Sequence, residues 1–136
     1  MIVPNTFICM DNLINQYNGN DWQKYVNVSN NSYNKILINR NSKLEMFIIC
    51  WDKNIQSGIH DHPTNGCILK VLKGKLIEQS YCKNENKIKF VKEIHCCTND
   101  VSYQEGSNGL HNIINEDSVS VSLHIYSPPN YKINFL

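Results

Sequence analysis

Short stretches in which apolar and polar residues alternate follow one another along most of this chain. A period of two is typical of β-strands that bury one face. Turn-forming residues separate the stretches, as at 39–42 and 83–86. The pattern predicts an all-β fold, either a barrel or a sandwich. The predicted strands are 35–38, 44–51, 67–72, 75–81, 87–94, 101–103, 110–114 and 118–127.

Residues 1–31 differ from the rest because they are polar and mixed, with no strand alternation. Trp22 and Tyr25 are spaced like one face of a short helix that starts at Asp21. A chain of 136 residues can build one hydrophobic core. We therefore expect a single domain over 1–136, with a short helical segment at 1–31 followed by a β domain at 32–136.

Composition and charge exclude several classes of function. The net charge is +1 and no basic patch stands out, which argues against nucleic acid as a partner. The longest apolar runs are about six residues, too short to cross a membrane. The start, Met1–Asn5, lacks the features of a secretory signal, so a cytoplasmic location with reduced thiols is expected. The sequence carries no signal for an oligomer, and a monomer is taken as the expectation.

Two histidines one residue apart, His60 and His62, carry the first indication of chemistry. The runs on either side are typical of strands, where residues i and i+2 face the same way, so both imidazoles should project together. Two neutral nitrogen ligands that face the same way provide two of the three or four protein ligands that a metal site needs. His111, at the start of a later predicted strand, is the candidate third ligand. The alternative is that the pair lies in an exposed loop.

A site of three histidines and no carboxylate would leave a bound metal with its full positive charge. Such a metal favours an anionic ligand, and a thiolate suits it because the metal lowers the thiol pKa. Three facial ligands would leave room for a thiolate, an amine and O₂. These residues alone leave iron, zinc, nickel and manganese open.

Several spaced motifs surround the histidines: Cys50-Trp51, Ile59–His62, Cys67, Leu72–Glu78, Gly109–His111 and Ser120–Pro129. Together they resemble the cysteine dioxygenase family of the cupin superfamily, with Cys67 where many cupins have a ligating glutamate. The resemblance implies a cupin jelly-roll β-barrel with a metal inside. It also implies Fe(II) at His60, His62 and His111, and the oxidation of L-cysteine by O₂ to cysteine sulfinic acid.

The resemblance further implies a thioether between Cys67 and Tyr126, whose hydroxyl would contact substrate and O₂. Chain spacing alone favours a buried barrel thiol and a core aromatic, whereas the motifs favour the functional interpretation. Ser122, His124 and Tyr126 alternate along one predicted strand and so should face the same side of it. They match a hydrogen-bonded series of serine, histidine and tyrosine in the family, in which the histidine orients the tyrosine hydroxyl. The position of His124 on its strand does not exclude it as a metal ligand. The resemblance of Gly109–His111 to the family motif favours His111 as the third ligand.

The substrate-binding motif departs from the family pattern. Tyr33 is followed two residues later by Lys35, where the family has an arginine that binds the substrate carboxylate. Lysine keeps the charge but loses the planar bidentate fork. We expect Tyr33, Lys35 and Ser122 to face the substrate, while Arg40, a possible alternative, lies in a sequence typical of an exposed turn. A solvated lysine at the start of a strand is the alternative for Lys35.

Two other functions stay open on the sequence. One is a dioxygenase of another small thiol, such as 3-mercaptopropionate. The other is a cupin that binds metal without turnover, because the segment before the barrel is shorter than the family's helical region. The presence of Cys67, His124 and Tyr126 argues against this second alternative, since a binding protein needs none of them.

Overall fold

The computed structural model describes residues 13–104, 106 and 109–136. These residues form two antiparallel sheets, and the all-β prediction is confirmed. One sheet has the strand order β1-β2-β9-β4-β7 and the other the order β3-β8-β5-β6. The strands are β1 Tyr33–Arg40, β2 Glu45–Trp51, β3 Ile55–Gln56, β4 Gly66–Lys73, β5 Lys75–Asn84, β6 Lys87–Cys97, β7 Val101–Gln104, β8 Gly109–Asn115 and β9 Ser120–Ser127.

The part of the N-terminal segment that the structure describes is helical over residues 13–16 and forms a short 3₁₀ helix at Asp21–Tyr25. The expected short helix that starts at Asp21 is thus present, while residues 1–12 lie outside the described residues. Lys70 of β4 ties this segment to the barrel. Its buried ammonium donates hydrogen bonds to the carbonyl oxygens of Ile14 at 2.6 Å and Tyr17 at 2.5 Å.

The expectation that His60 and His62 lie on a regular strand is wrong. Both lie in the connection between β3 and β4, where only His60 forms isolated bridges, with His111 and with Phe135. Gly58 turns the chain with a positive φ of 86° before the pair. Pro63 follows the pair and has no N–H to donate to a ladder. The short strand β3 was not predicted, because two residues are too few to produce a pattern.

The strand β9 is buried along its whole length, and its two faces have different neighbours. Its apolar residues join a cluster against which the N-terminal aromatics Trp22 and Tyr25 pack. The polar residues alternate with them and so face the space between the two sheets. The apolar set is Val121, Leu123 and Ile125, and the polar set is Ser122, His124 and Tyr126.

A second apolar cluster fills the space between the sheets beside these polar residues. It combines residues of both sheets, so it joins them into a single core. Its members are Ile49, Trp51, Leu69, Val71, Leu76, Cys96 and Ile113. Among the described residues, no helix has both the length and the apolar character needed to cross a membrane.

Candidate active site

The three histidines predicted from the sequence come together in the structure. One side-chain nitrogen from each of His60, His62 and His111 lies within 4.8 Å of the other two, and all three residues are buried. The backbone hydrogen bonds from His60 N to His111 O and from His111 N to His60 O hold two of them side by side. This cluster is a metal-binding arrangement of three histidines.

The hydrogen bonds of the three rings decide which nitrogens face the cluster. His60 Nδ1 lies 2.8 Å from the carbonyl oxygen of Gly58, and His62 Nδ1 lies 3.2 Å from that of Gly109. A carbonyl oxygen can only accept, so each Nδ1 carries the proton. A neutral imidazole has one N–H, and each Nε2 therefore keeps a lone pair.

The arrangement of the Nε2 atoms fits a metal ion. His60 Nε2 and His111 Nε2 are 2.8 Å apart, and His62 Nε2 is buried without a hydrogen-bond partner among the described residues. Lone pairs at this separation repel unless a cation or a proton lies between them. Burial lowers the pKa of all three histidines, most for His62 and His111, so the rings are neutral as metal ligands must be.

Glu78 on β5 completes this centre, although no role was predicted for it. Its Oε2 accepts a hydrogen bond from His111 Nδ1 at 2.8 Å, and its Oε1 accepts one from Ser102 Oγ at 2.5 Å. Burial raises the pKa of the Glu78 carboxyl, while the Ser102 hydrogen bond opposes this shift. The candidate ligands are three histidines, as the sequence suggested, and Glu78 is one hydrogen bond away from His111.

The signal that identifies Glu78 is its buried position on β5, which only the structure shows. The neighbouring inward positions of β5, Leu76 and Ser80, are buried, so Glu78 places a charged side chain on a buried strand face. A charge at such a position needs a partner. The identity of that partner, however, depends on β8 lying beside β5, with Ser80 opposite His111 in the register.

Cys67 and Tyr126 face each other directly across the β4–β9 pair. Both are buried, and His124 lies beside them, with Nδ1 3.4 Å from Tyr126 Oη and 3.9 Å from Cys67 Sγ. Burial raises the pKa of the Cys67 thiol, and the Glu78 charge raises it further. Burial also raises the pKa of Tyr126 well above its usual value, so both groups are protonated at neutral pH.

A chain of hydrogen bonds runs behind His124. Trp51 Nε1 donates to Ser122 Oγ at 2.9 Å, and Ser122 Oγ lies 2.8 Å from His124 Nε2. Trp51 belongs to the Cys50-Trp51 motif, but no role was predicted for it. Burial lowers the pKa of His124 well below its usual value, and the neighbouring histidines and Lys35 contribute. His124 is thus a neutral ring fixed on both edges.

A cavity of about 250 Å³ opens in front of these groups. Tyr33 lies at its wall and stacks on Trp51, with ring centroids 4.9 Å apart. Lys35 also lines it, and its ammonium lies 4.4 Å from the ring centroid of Phe47 and 4.6 Å from that of Tyr126. The cavity is lined by Tyr33, Lys35, Ile49, Trp51, Ser57, His60, Ile113, His124, Tyr126, Tyr131, Ile133 and Phe135.

The two basic candidates have different surroundings. Partial burial lowers the pKa of Lys35, while the nearby Cys67 and Glu45 side chains oppose the shift. Arg40 ends β1 and forms an ion pair with the buried Glu45, its Nε 2.9 Å from Oε2. Of the two, Lys35 lines the cavity.

Comparisons with known proteins agree with this site. A family profile described as cysteine dioxygenase type I matches residues 9–135. The chain is 32% identical over 134 residues to the cysteine dioxygenase type 1 of Danio rerio, with 88% of this chain and 64% of the relative covered. It is 34% identical over 115 residues to that of Homo sapiens, with 80% and 58% covered. The chain thus spans about three fifths of the length of these curated relatives.

Solved structures resemble this chain in fold. A protein from Klebsiella pneumoniae with a double-stranded β-helix domain superposes with a TM-score of 0.68 at 13% identity, covering 88% of this chain and 92% of that one. A cupin superfamily protein from Desulfitobacterium hafniense gives a TM-score of 0.61 at 10% identity, covering 76% and 84%. These similarities confirm the predicted cupin barrel. Because the family profile matches nearly the whole sequence, this chain belongs to the cysteine dioxygenase type I family.

Proposed function

We propose that this chain is a thiol dioxygenase that oxidises L-cysteine with O₂ to cysteine sulfinic acid at Fe(II) held by His60, His62 and His111. Both oxygen atoms of O₂ join the sulfur, which supplies the four electrons that O₂ takes up and loses the thiol proton. One observation carries the proposal: three buried imidazoles converge on one point, and one of them, His60, lines a small cavity that Tyr126 and Lys35 also line.

Fe(II) at these ligands would lower the thiol pKa of the substrate and supply the redox chemistry that joins O₂ to sulfur. The three Nδ1–H hydrogen bonds to Gly58 O, Gly109 O and the Glu78 carboxylate hold the rings with Nε2 toward the metal position. The protein thereby fixes the ligand geometry before substrate enters.

Lys35 would bind the substrate carboxylate. Its ammonium lies at the Tyr126 side of the cavity, so a bound carboxylate would orient the thiol toward the three histidines. The lysine ammonium can bind a carboxylate in more orientations than the planar guanidinium group of arginine can. We therefore expect weaker selection among small carboxylate-bearing thiols than an arginine would give, with 3-mercaptopropionate as the alternative substrate.

The hydrogen bonds behind His124 assign the direction of the Tyr126 hydroxyl. Trp51 Nε1 can only donate, so Ser122 Oγ accepts from it. Of the two neutral tautomers of His124, we propose the one whose Nε2 accepts the Ser122 hydrogen, because Ser122 Oγ then both accepts and donates. His124 then carries its proton on Nδ1, which faces Tyr126 Oη. With its oxygen accepting from His124, Tyr126 keeps its own hydrogen for donation. Cys67 is its side-chain hydrogen-bond partner in this structure, and bound substrate or O₂ would take the place of that partner.

We further propose that Cys67 and Tyr126 form a thioether. The bond would join Cys67 Sγ to the ring carbon beside the hydroxyl, with loss of the S–H and the ring C–H hydrogens, and O₂ would take up the two electrons. Direct opposition across the β4–β9 pair supports this, because it brings the two side chains into contact. The link would fix the phenol, which matters for positioning.

The experiment that tests the function measures O₂ uptake by the iron-loaded protein with cysteine, 3-mercaptopropionate and cysteamine. With ¹⁸O₂, cysteine sulfinic acid carrying two labelled oxygen atoms is the expected product. Iron binding without O₂ uptake for any of these thiols would refute the proposal and leave a cupin that binds metal without turnover. The cytoplasmic location and the monomeric state stay predictions, which cell fractionation and light scattering would test.

A further inference from the structure

The segment 131–136 forms the outer wall of the cavity. Tyr131, Ile133 and Phe135 alternate along it and line the cavity. Phe135 pairs with His60 in an isolated bridge, and their ring centroids are 5.3 Å apart. Phe135 is also 56% exposed, so it lies at the mouth, between solvent and a candidate metal ligand.

Asp61, the residue between the two histidines, holds this wall in place. Its Oδ2 accepts hydrogen bonds from Tyr131 Oη at 2.8 Å and Asn134 Nδ2 at 3.0 Å, and its Oδ1 accepts one from the Asn134 backbone N–H at 2.8 Å. Backbone bonds from Asp61 N to Asn134 O and from Leu136 N to Ile59 O flank these contacts. One carboxylate therefore connects the histidine pair to the segment that covers it.

We propose that Asp61 is a positioning residue that sets the size of the thiol admitted to the site. The cavity of about 250 Å³ is smaller than the roughly 300–1,000 Å³ of sites for drug-sized ligands. Three hydrogen bonds to one carboxylate, two from side chains and one from a backbone N–H, keep the wall closed. Their loss frees the segment to move away from His60 and enlarges the cavity. The size selection rests on the proposed thiol dioxygenase function, whereas the closure of the wall does not.

The closure is tested on the metal-free protein. Asp61→Ala removes all three acceptor contacts, and Asp61→Asn keeps one acceptor oxygen. Asp100→Ala is the matched control, because Asp100 Oδ2 also accepts a backbone N–H, from Cys97 at 2.8 Å, in the turn between β6 and β7. Hydrogen exchange at the Asn134 and Leu136 amides is followed by mass spectrometry. Acrylamide quenching of the cavity-lining Trp51 is followed in a Trp22→Phe background, since the chain has two tryptophans.

We expect both amides to exchange at least about tenfold faster in Asp61→Ala, since charged hydrogen bonds are the stronger kind. Trp51 should become more accessible to acrylamide, Asp61→Asn should be intermediate, and Asp100→Ala should match wild type. Unchanged exchange and quenching in Asp61→Ala would overturn the proposal. Should that variant not fold, Tyr131→Phe removes one hydrogen bond only and must show a smaller change in the same direction.

The size selection is tested on the iron-loaded protein with cysteine, homocysteine and glutathione. In Asp61→Ala, the ratio of kcat/KM for each larger thiol to that for cysteine should rise on the order of tenfold. An unchanged ratio in a variant whose wall has opened would refute the size selection. Wild type that oxidises no thiol would refute the proposed function and the size selection with it, while exchange and quenching would still decide whether Asp61 holds the wall.

Discussion

Replacing Glu78 with glutamine should weaken metal binding without weakening the fold. The glutamine side chain would keep the shape of the original one and an acceptor oxygen for His111 Nδ1, but it would lose the negative charge. Ser102 can rotate its hydroxyl to accept from the new amide, and because Ser102 is only partly buried its own hydrogen can turn to solvent. Glu78→Gln therefore isolates the charge of the carboxylate from its position.

The expected magnitude follows from the contact between Glu78 and His111. Mutation of a residue that orients a metal-ligating histidine typically costs about 10–100-fold in metal affinity, which is about 1.4–2.7 kcal/mol. The metal-free protein should not lose stability, because burial of an ionised carboxylate is costly and the amide avoids that cost. Metal affinity should fall while the unfolding temperature of the metal-free protein stays the same or rises.

The assay is a titration of metal-free protein with Fe(II) against a competing chelator under anaerobic conditions, together with thermal unfolding. Glu93→Gln is the matched control. Glu93 also accepts from a histidine, with Oε2 3.0 Å from His95 Nε2, but both side chains are exposed on β6. Wild-type affinity in Glu78→Gln would refute the role assigned to the carboxylate. An equal loss in Glu93→Gln would show that the effect comes from overall charge.

Three further predictions concern the other groups of the site. His111→Ala should lose iron binding and O₂ uptake together, as measured by metal analysis after desalting, and full iron content would refute its role as a ligand. Lys35→Ala should raise KM for cysteine on the order of tenfold, while Lys35→Arg should match or improve on wild type. Because burial lowers the pKa of Lys35, KM for cysteine should begin to rise at a lower pH in wild type than in Lys35→Arg. Equal activity on cysteine and on cysteamine, which has no carboxylate, would contradict the role of Lys35 as the carboxylate-binding residue. Peptide mass spectrometry after turnover should show Cys67 linked to Tyr126 with the loss of two hydrogens. The Cys67→Ser variant should show no linked peptide and should turn over more slowly. Fully active protein without the link would exclude the thioether.

The sequence by itself determined the class of fold and the main reactive residues. Alternation of apolar and polar residues predicted eight of the nine strands that the described residues form, because burial of one sheet face imposes a period of two on the chain. The histidine pair and the spaced motifs pointed to the metal cluster and to the cupin barrel. Such features are visible in the sequence because they depend on residue type at short or characteristic spacing.

The tertiary structure alone decided how those residues are held. His60 and His62 converge with His111 through a bridge and a turn at Gly58 and not through a regular strand. The contacts of Glu78 with His111, of Trp51 with Ser122 and of Asp61 with residues 131–134 each join segments far apart in the chain. A hydrogen bond depends on the distance and direction between two atoms, and both are set by strand register and sheet order. Local sequence patterns encode which face of a strand is buried, but not which distant residue lies opposite it.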